Sequence, residues 1–128
     1  MNRKTPPSAT PLRIFCLEDN PLIVFHLEQM IEDLGHVFAG SSASFMELQQ
    51  RVSTIEMDCA LVDIDLADGA SGPSAAAWLL SRGIPCAFVT GQEAVAARFP
   101  EISVATVGKP INKASLVVAL DHLRIALS

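Results

Sequence analysis

Short apolar runs alternate along the chain with longer stretches in which apolar residues recur at helical spacing. The apolar runs cover 12–17, 36–40, 59–62, 84–89 and 102–107. Runs of roughly four to eight apolar residues between turn residues are typical of buried strands, and a repeat of about 3.6 residues is typical of amphipathic helices. The pattern therefore predicts strand and helix in alternation five times, which favours a parallel sheet with helices on both faces.

Capping residues mark where several of the predicted helices begin. Asn20 stands directly before Pro21, Ser44 opens a capping-box sequence, and Asn112 precedes the last helix. Asn and Ser side chains accept hydrogen bonds from the free amides of a first helical turn, and Pro suits the first helical position. The stretch 93–98 leaves room for only a short fourth helix.

Composition narrows the class of protein. The chain has 128 residues, of which 50% are hydrophobic and 18% charged, and its formal net charge is −5. One globular domain is expected over 12–128, after a Pro-containing, disordered lead-in over 1–11. The negative charge and the lack of a Lys/Arg cluster argue against nucleic-acid binding. With no membrane-spanning run and no secretory signal, we expect a cytoplasmic protein.

The three cysteines, Cys16, Cys59 and Cys86, each lie in a predicted strand and form no C-x-x-C pair. Buried, reduced thiols that act as small apolar side chains are the favoured interpretation. A redox sensor is the alternative.

Reactive side chains follow four of the five predicted strands. The first strand ends at Glu18 and Asp19, the third at Asp63, the fourth at Thr90 and the fifth at Lys109. Because the carboxyl ends of parallel strands share one edge of the sheet, we expect these side chains to meet. Three neighbouring carboxylates repel one another, and Mg²⁺ would relieve that conflict. Carboxylates, a divalent cation, an ammonium group and a hydroxyl together suit phosphoryl transfer onto a carboxylate.

Each of these residues also has an ordinary structural interpretation. Glu18 and Asp19 precede an Asn-Pro pair and could serve turn chemistry, and Asp63 could cap a strand end. Their joint occurrence at four strand ends favours a functional site over four separate explanations.

With this arrangement the chain resembles the receiver domain of two-component response regulators over about residues 12–127. The resemblance rests on the strand-end residues Glu18, Asp19, Asp63, Thr90, Lys109 and Pro110. It implies a flavodoxin-like (βα)5 fold, which is an α/β, doubly wound parallel sheet of strand order 2-1-3-4-5.

The resemblance also implies roles for these residues. Asp63 would accept a phosphoryl group from a phosphohistidine, and Lys109 and Thr90 would contact that group. The implied Mg²⁺ ligands are Glu18, Asp19, Asp63 and the backbone carbonyl of Asp65. The family has an aromatic residue three positions before the lysine, where this chain has Thr106. Asp65 and Gln92 lie where the family tunes the lifetime of the phosphoryl group.

The function so implied is that of a single-domain response regulator in a Mg²⁺-dependent His-to-Asp phosphorelay. It would act through phosphorylation-controlled protein–protein interaction or phosphoryl transfer, with a sensor histidine kinase or histidine phosphotransfer protein as donor. It would phosphorylate and dephosphorylate itself without being a multiple-turnover enzyme. A receiver-like interaction module that is never phosphorylated is the alternative. Asp63-Ile64-Asp65 also resembles the D-x-D motif of haloacid-dehalogenase-type phosphatases, which need a longer chain.

The last predicted helix is apolar on most of its faces. Its apolar residues include an inner stripe of Leu116, Leu120, Leu123 and Leu127, together with Val117, Val118 and Ile125. A helix that is apolar most of the way round is expected to be buried on more than one side. We therefore hypothesise a homodimer or partner interface on this helix, against the alternative of a deeply packed helix with a few exposed Val side chains.

Overall fold

The computed structural model describes residues 10–128; most of the predicted lead-in, residues 1–9, lies outside the described residues. Five parallel strands form one sheet in the order β2-β1-β3-β4-β5, which confirms the predicted topology. The strands are β1 (Arg13–Leu17), β2 (Val37–Ser42), β3 (Cys59–Val62), β4 (Cys86–Thr90) and β5 (Ser103–Gly108).

Helices connect the strands, and a 3₁₀ turn (Val52–Thr54) follows the second of them. The helices are α1 (Pro21–Asp33), α2 (Phe45–Arg51), α3 (Gly72–Ser81), α4 (Glu93–Ala96) and α5 (Lys113–Ala126). The expected caps form, because the side chains of Asn20, Ser44 and Asn112 each accept a hydrogen bond from a backbone amide of the first turn. At four residues, α4 is as short as the sequence predicts.

Two apolar layers lie on opposite faces of the sheet. Alternate strand residues point to opposite faces, so Ile14 and Cys16 pack beneath α1 and α5, while Phe15 and Leu17 pack beneath α2, α3 and α4. Covering both faces explains why the strand runs read as almost continuously apolar. The sheet is therefore doubly wound.

The three thiols lie inside these layers, as expected of apolar packing residues. Cys16, Cys59 and Cys86 are free and buried. Burial raises the pKa of all three thiols, to about 12 for Cys59 and Cys86. A thiolate is the reactive form of cysteine, so these side chains lack the character of a redox sensor.

The ends of the second strand and of the last helix differ from those predicted. The second strand continues past Gly40 to Ser42, whose buried hydroxyl accepts a hydrogen bond from Arg51. Leu127 lies beyond the end of α5 and is 40% exposed, so its place in the inner stripe was wrong. Helix α5 buries one face, made of Leu116, Ala119, Leu120 and Leu123.

The rest of α5 faces outward. Val118 is 55% exposed and Ile125 is 70% exposed. The interface hypothesis for this helix therefore stays a prediction. Within residues 10–128, every helix is too short or too polar to cross a membrane.

Candidate functional site

Strand register brings the predicted site residues to one edge of the sheet. Leu17 of β1 pairs with Val62 of β3, so Glu18 and Asp63 are the next residues on adjacent strands. Thr90 of β4 pairs with Gly108 of β5, so Lys109 follows beside it. Parallel pairing alone thus gathers side chains that are as many as 91 residues apart in sequence.

Lys109 joins two of the carboxylates. Its Nζ donates to Glu18 Oε1 at 2.8 Å and to Asp63 Oδ2 at 2.9 Å. The remaining carboxylate oxygens are held by the backbone, since Asn20 N donates to Glu18 Oε2 at 3.1 Å and Ile64 N donates to Asp63 Oδ1 at 2.7 Å. Glu18 is 3% exposed and Asp63 is 8% exposed. The Asp63 carboxylate is therefore fixed in orientation and shielded from bulk water.

Burial and pairing oppose each other in this cluster. Burial raises the pKa of Glu18, against the lowering effect of Lys109 and of the Asn20 amide. Burial by itself would lower the pKa of Lys109, but its hydrogen bonds to Glu18 and Asp63 outweigh burial, and the net shift is upward. Lys109 is therefore a firmly charged ammonium group, and the charge on Glu18 is unfavourable in the fold.

The three acids fit a divalent cation. Glu18, Asp19 and Asp63 each present an oxygen, and these oxygens lie within 4.8 Å of one another. Asp19 is exposed, whereas the other two are buried. Converging carboxylate oxygens with one side open to water are the donor set that Mg²⁺ prefers. The cluster could therefore hold such an ion.

Asp65 lies beside this cluster, two residues after Asp63. Its side chain is exposed and accepts a hydrogen bond from Gln92 Nε2, which joins the β3–α3 loop to the β4–α4 loop. The proposed ligand role of its backbone carbonyl stays a prediction.

Thr90 is 1% exposed, and its hydroxyl is engaged locally. Thr90 Oγ1 accepts from Gln92 N at 3.0 Å, an arrangement typical of Ser and Thr in turns. Thr106 is exposed and pairs in register with Phe88. Phe88 instead meets Phe99 edge to face, with ring centroids 6.4 Å apart. The position that is aromatic in the family is thus a small, solvent-facing residue here.

Sequence reasoning missed the close approach of α3 to the backbone of Asp63. A Cβ on Gly72 would lie 2.0 Å from the backbone oxygen of Asp63 and 2.6 Å from the Cα of Ile64. Gly72 N also donates to Ile64 O at 2.9 Å. The Gly-Pro pair signalled a helix start, but the need for glycine comes from this tertiary contact.

Asp68 is a second residue that sequence reasoning missed. Its carboxylate accepts from the backbone amides of Phe45 at 3.2 Å and Met46 at 3.1 Å, and from Ser71 Oγ at 2.6 Å. These hydrogen bonds lower the pKa of Asp68. The Asp-Gly pair indicated a turn, and no local signal showed that the carboxylate reaches another helix.

A cavity of about 310 Å³ opens beside the acidic cluster. It lies between the start of α1 and the connection from β2 to α2. Its lining residues are Glu18, Asp19, Pro21, Val24, Ser41, Ser42, Ala43 and Glu47. The acids of the cluster are therefore reached from the α1–α2 side of the edge.

The strand order and the acid–lysine edge are those expected of a response-regulator receiver domain, and solved receiver domains match this chain, which confirms the resemblance seen in the sequence. The receiver (REC) domain of PhyR from Erythrobacter litoralis matches with a TM-score of 0.79 and 28% identity, covering 92% of this chain and 93% of that one. PhyR from Bartonella quintana, named an anti-anti-sigma factor, matches with a TM-score of 0.77 and 30% identity, covering 93% and 49% respectively.

A curated relative points to the same group. The phyllosphere-induced regulator PhyR of Methylorubrum extorquens is 38% identical over 79 residues, which are 60% of this chain and 30% of that protein. The chain thus spans less than a third of this relative and about half of the Bartonella protein. No protein-family model matches the chain.

Proposed function

We propose that this receiver domain is a phosphoacceptor switch, in which Asp63 takes a phosphoryl group from a phosphohistidine on a partner protein. The observation that carries the proposal is the ammonium group of Lys109, 2.9 Å from Asp63 Oδ2 and 2.8 Å from Glu18 Oε1 at the carboxyl edge of the sheet. A cation fixed beside a buried carboxylate suits the charge that develops on a transferring phosphoryl group.

In the proposed step a carboxylate oxygen of Asp63 attacks phosphorus. A P–O bond forms and the P–N bond to the donor histidine breaks. The imidazole keeps the electron pair of that bond and, with its other nitrogen protonated, departs neutral. The product is an acyl phosphate on Asp63, whose phosphoryl oxygens Lys109 contacts and towards which the Thr90 hydroxyl can turn.

Glu18, Asp19, Asp63 and the carbonyl of Asp65 are the residues that we propose hold Mg²⁺ at this site. When bound, the ion would neutralise negative charge on the phosphoryl oxygens. It would also relieve the repulsion among the three carboxylates, which the single ammonium group of Lys109 offsets only in part.

The donor in this proposal is a sensor histidine kinase or a histidine phosphotransfer protein, and a partner protein reads the phosphorylated state. The chain is not a multiple-turnover enzyme, because Asp63 is consumed until its acyl phosphate hydrolyses. The related Bartonella protein is named an anti-anti-sigma factor, which supports a protein partner as the reader. A constitutive, unphosphorylated interaction module is the second candidate, favoured by the exposed Thr106.

Acetyl phosphate with Mg²⁺, followed by intact mass measurement, tests the proposal. We expect one added phosphoryl group in the wild type and none in Asp63→Asn or after chelation of Mg²⁺. Glu101→Gln is the control, because Glu101 is an exposed acid just before β5 that has no role in the site, so this variant should still be labelled. A beryllofluoride titration distinguishes rapid hydrolysis from absence of acceptance. No adduct and no beryllofluoride binding would favour the interaction module.

A further inference from the structure

The loop that follows the acceptor is bonded to α2. Ala67 N donates to Ala43 O at 2.9 Å, directly before α2, and the Asp68 carboxylate accepts from the first two amides of the helix, those of Phe45 and Met46. Asp68 thus caps a helix that lies 22 residues or more away in sequence. The loop and the start of α2 are one hydrogen-bonded unit.

This loop has little internal freedom between the acceptor and Asp68. Leu66 and Gly69 exchange backbone hydrogen bonds of 2.8 and 3.0 Å, which closes a tight turn around Asp68. Ile64 and Leu66 are buried at 2% and 5% exposure. A shift of the backbone at Asp65 is therefore passed to Asp68 more readily than it is absorbed by the loop.

The fluorescence of Trp78 can report on the start of α2, because Trp78 contacts Phe45 there. The ring of Phe45 meets that of Trp78 on α3 edge to face, with centroids 5.8 Å apart. Trp78 is the single tryptophan of the chain, and the Arg82 guanidinium lies 4.7 Å from its ring centroid. A movement of Phe45 changes the surroundings of the only indole.

We propose that Asp68 is a positioning residue that couples ligand binding at Asp63 to the position of the α2 N-terminus. The inference rests on the proposed function, since the ligands are Mg²⁺ and a phosphoryl group. Asp63 and the carbonyl of Asp65 would hold the Mg²⁺ ion, so its binding would adjust the loop between them and Asp68, and the Asp68 hydrogen bonds would carry that adjustment to Phe45. Hydrogen-bond networks of this kind couple sites when the linked element has two arrangements.

The side of Asp63 that faces α4 and β5 is more weakly linked to the loop than the α2 side is. Helix α4 has four residues, and Thr106 on β5 is exposed instead of presenting a buried aromatic ring. The link from Asp65 to that side is a single hydrogen bond from Gln92. The α2 side has three backbone-directed hydrogen bonds.

The test uses beryllofluoride with Mg²⁺ as a stand-in for the phosphoryl group, and reads Trp78 emission while ¹⁹F NMR measures binding. The variants are Asp68→Ala and the milder Asp68→Asn. Ser44→Ala is the matched control, because Ser44 caps the same helix through Glu47 N at 3.0 Å but belongs to the segment before α2, outside the β3–α3 loop. Both kinds of variant weaken the cap of α2, but only the Asp68 variants remove side-chain hydrogen bonds between the loop and the helix, and the backbone bond from Ala67 to Ala43 remains.

We expect beryllofluoride to change Trp78 emission in the wild type and in Ser44→Ala. In Asp68→Ala most of the change is lost although beryllofluoride still binds, and Asp68→Asn is intermediate. An unaltered emission change in a folded Asp68 variant overturns the coupling, as does binding to the wild type with no change in emission; in both cases the proposed function stands. If beryllofluoride does not bind the wild type, the proposed function fails and the coupling fails with it.

Discussion

The β3–α3 and β4–α4 connections lie on either side of the Asp63 carboxylate and differ in how closely they are packed at Gly72 and Gly91. The β3–α3 side is tightly packed: α3 has ten residues, and Gly72 has no room for a Cβ. On the β4–α4 side α4 has four residues, and nothing lies within 4 Å of where a Cβ on Gly91 would be. We call the β3–α3 side the packed side and the β4–α4 side the open side.

The side chains at the site differ in the same way in how firmly they are held. Asp63, Glu18 and Lys109 are joined by hydrogen bonds shorter than 3 Å, across the ends of β3, β1 and β5. On the open side the Thr90 hydroxyl accepts a hydrogen bond from the nearby backbone amide of Gln92, and Thr106 faces solvent. Preorganised charge needs rigid support, and a loop that is hydrogen-bonded to α2 passes a displacement on to that helix instead of absorbing it.

Alanine substitutions at Gly72 and Gly91 should show the largest difference in stability between the packed side and the open side. In Gly72→Ala the new methyl group meets the Asp63 backbone, so we expect the free energy of unfolding to fall by about 3 kcal/mol. Gly91→Ala has open space, and its effect should stay within about 0.5 kcal/mol. Urea unfolding measures both. Equal effects would mean that the two loops do not differ in packing.

Replacing Lys109 by an uncharged residue should have the next largest effect on stability. Lys109→Met leaves Glu18 and Asp63 facing each other without a counter-charge, and we expect a loss of about 2 kcal/mol at neutral pH. The loss should shrink in acid, where the carboxylates are protonated. Lys113→Met, at an exposed position on α5, is the control and should change stability little. A loss that does not depend on pH would indicate packing by the lysine stem as the cause.

The smallest expected effect is a gain in stability, for the variant Glu18→Gln. Burial raises the pKa of Glu18 above its ordinary 4.5, so the folded chain holds that proton more tightly than the unfolded chain does. The contribution of Glu18 to stability is therefore favourable below pH 4.5 and is lost as the pH rises through the folded pKa. Glu18→Gln should then raise stability at neutral pH by about 1 kcal/mol, with a smaller gain towards acid, while Mg²⁺ binding weakens.

Thermal unfolding across pH and calorimetric titration with Mg²⁺ measure the two effects of Glu18→Gln. Glu101→Gln serves as the control, since Glu101 is exposed just before β5 on the open side. Lower stability of Glu18→Gln at neutral pH would show that the charge of Glu18 is compensated within the fold.

Much of the fold and the site could be predicted from the chain because both follow from periodic patterns. Apolar runs located the strands, and parallel pairing alone places Glu18, Asp63, Thr90 and Lys109 at one edge. The predicted contact between Lys109 and Asp63 is present at 2.9 Å. The roles of these residues, and the domain bounds of 12–128, stay predictions.

The features that escaped prediction depend on contacts between segments that are distant in sequence. Asp68 reads locally as a turn residue, yet its partners are the amides of α2. Gly72 reads as a helix start, yet its lack of a Cβ is required by the backbone of Asp63. Leu127 continues the helical spacing of α5, but the helix ends at Ala126 and leaves it exposed. Periodicity does not reveal which loops touch or where a helix frays.

The burial of the three thiols has a practical consequence for following the molecule in solution. Cys16, Cys59 and Cys86 sit in β1, β3 and β4, the adjacent strands at the middle of the sheet, and each is inaccessible in the fold. Alkylation of these sulfur atoms must wait until the sheet opens. The rate of alkylation therefore reports how readily the sheet opens. Comparing that rate with and without a bound ligand would show how far binding at the edge of the sheet stabilises its central strands.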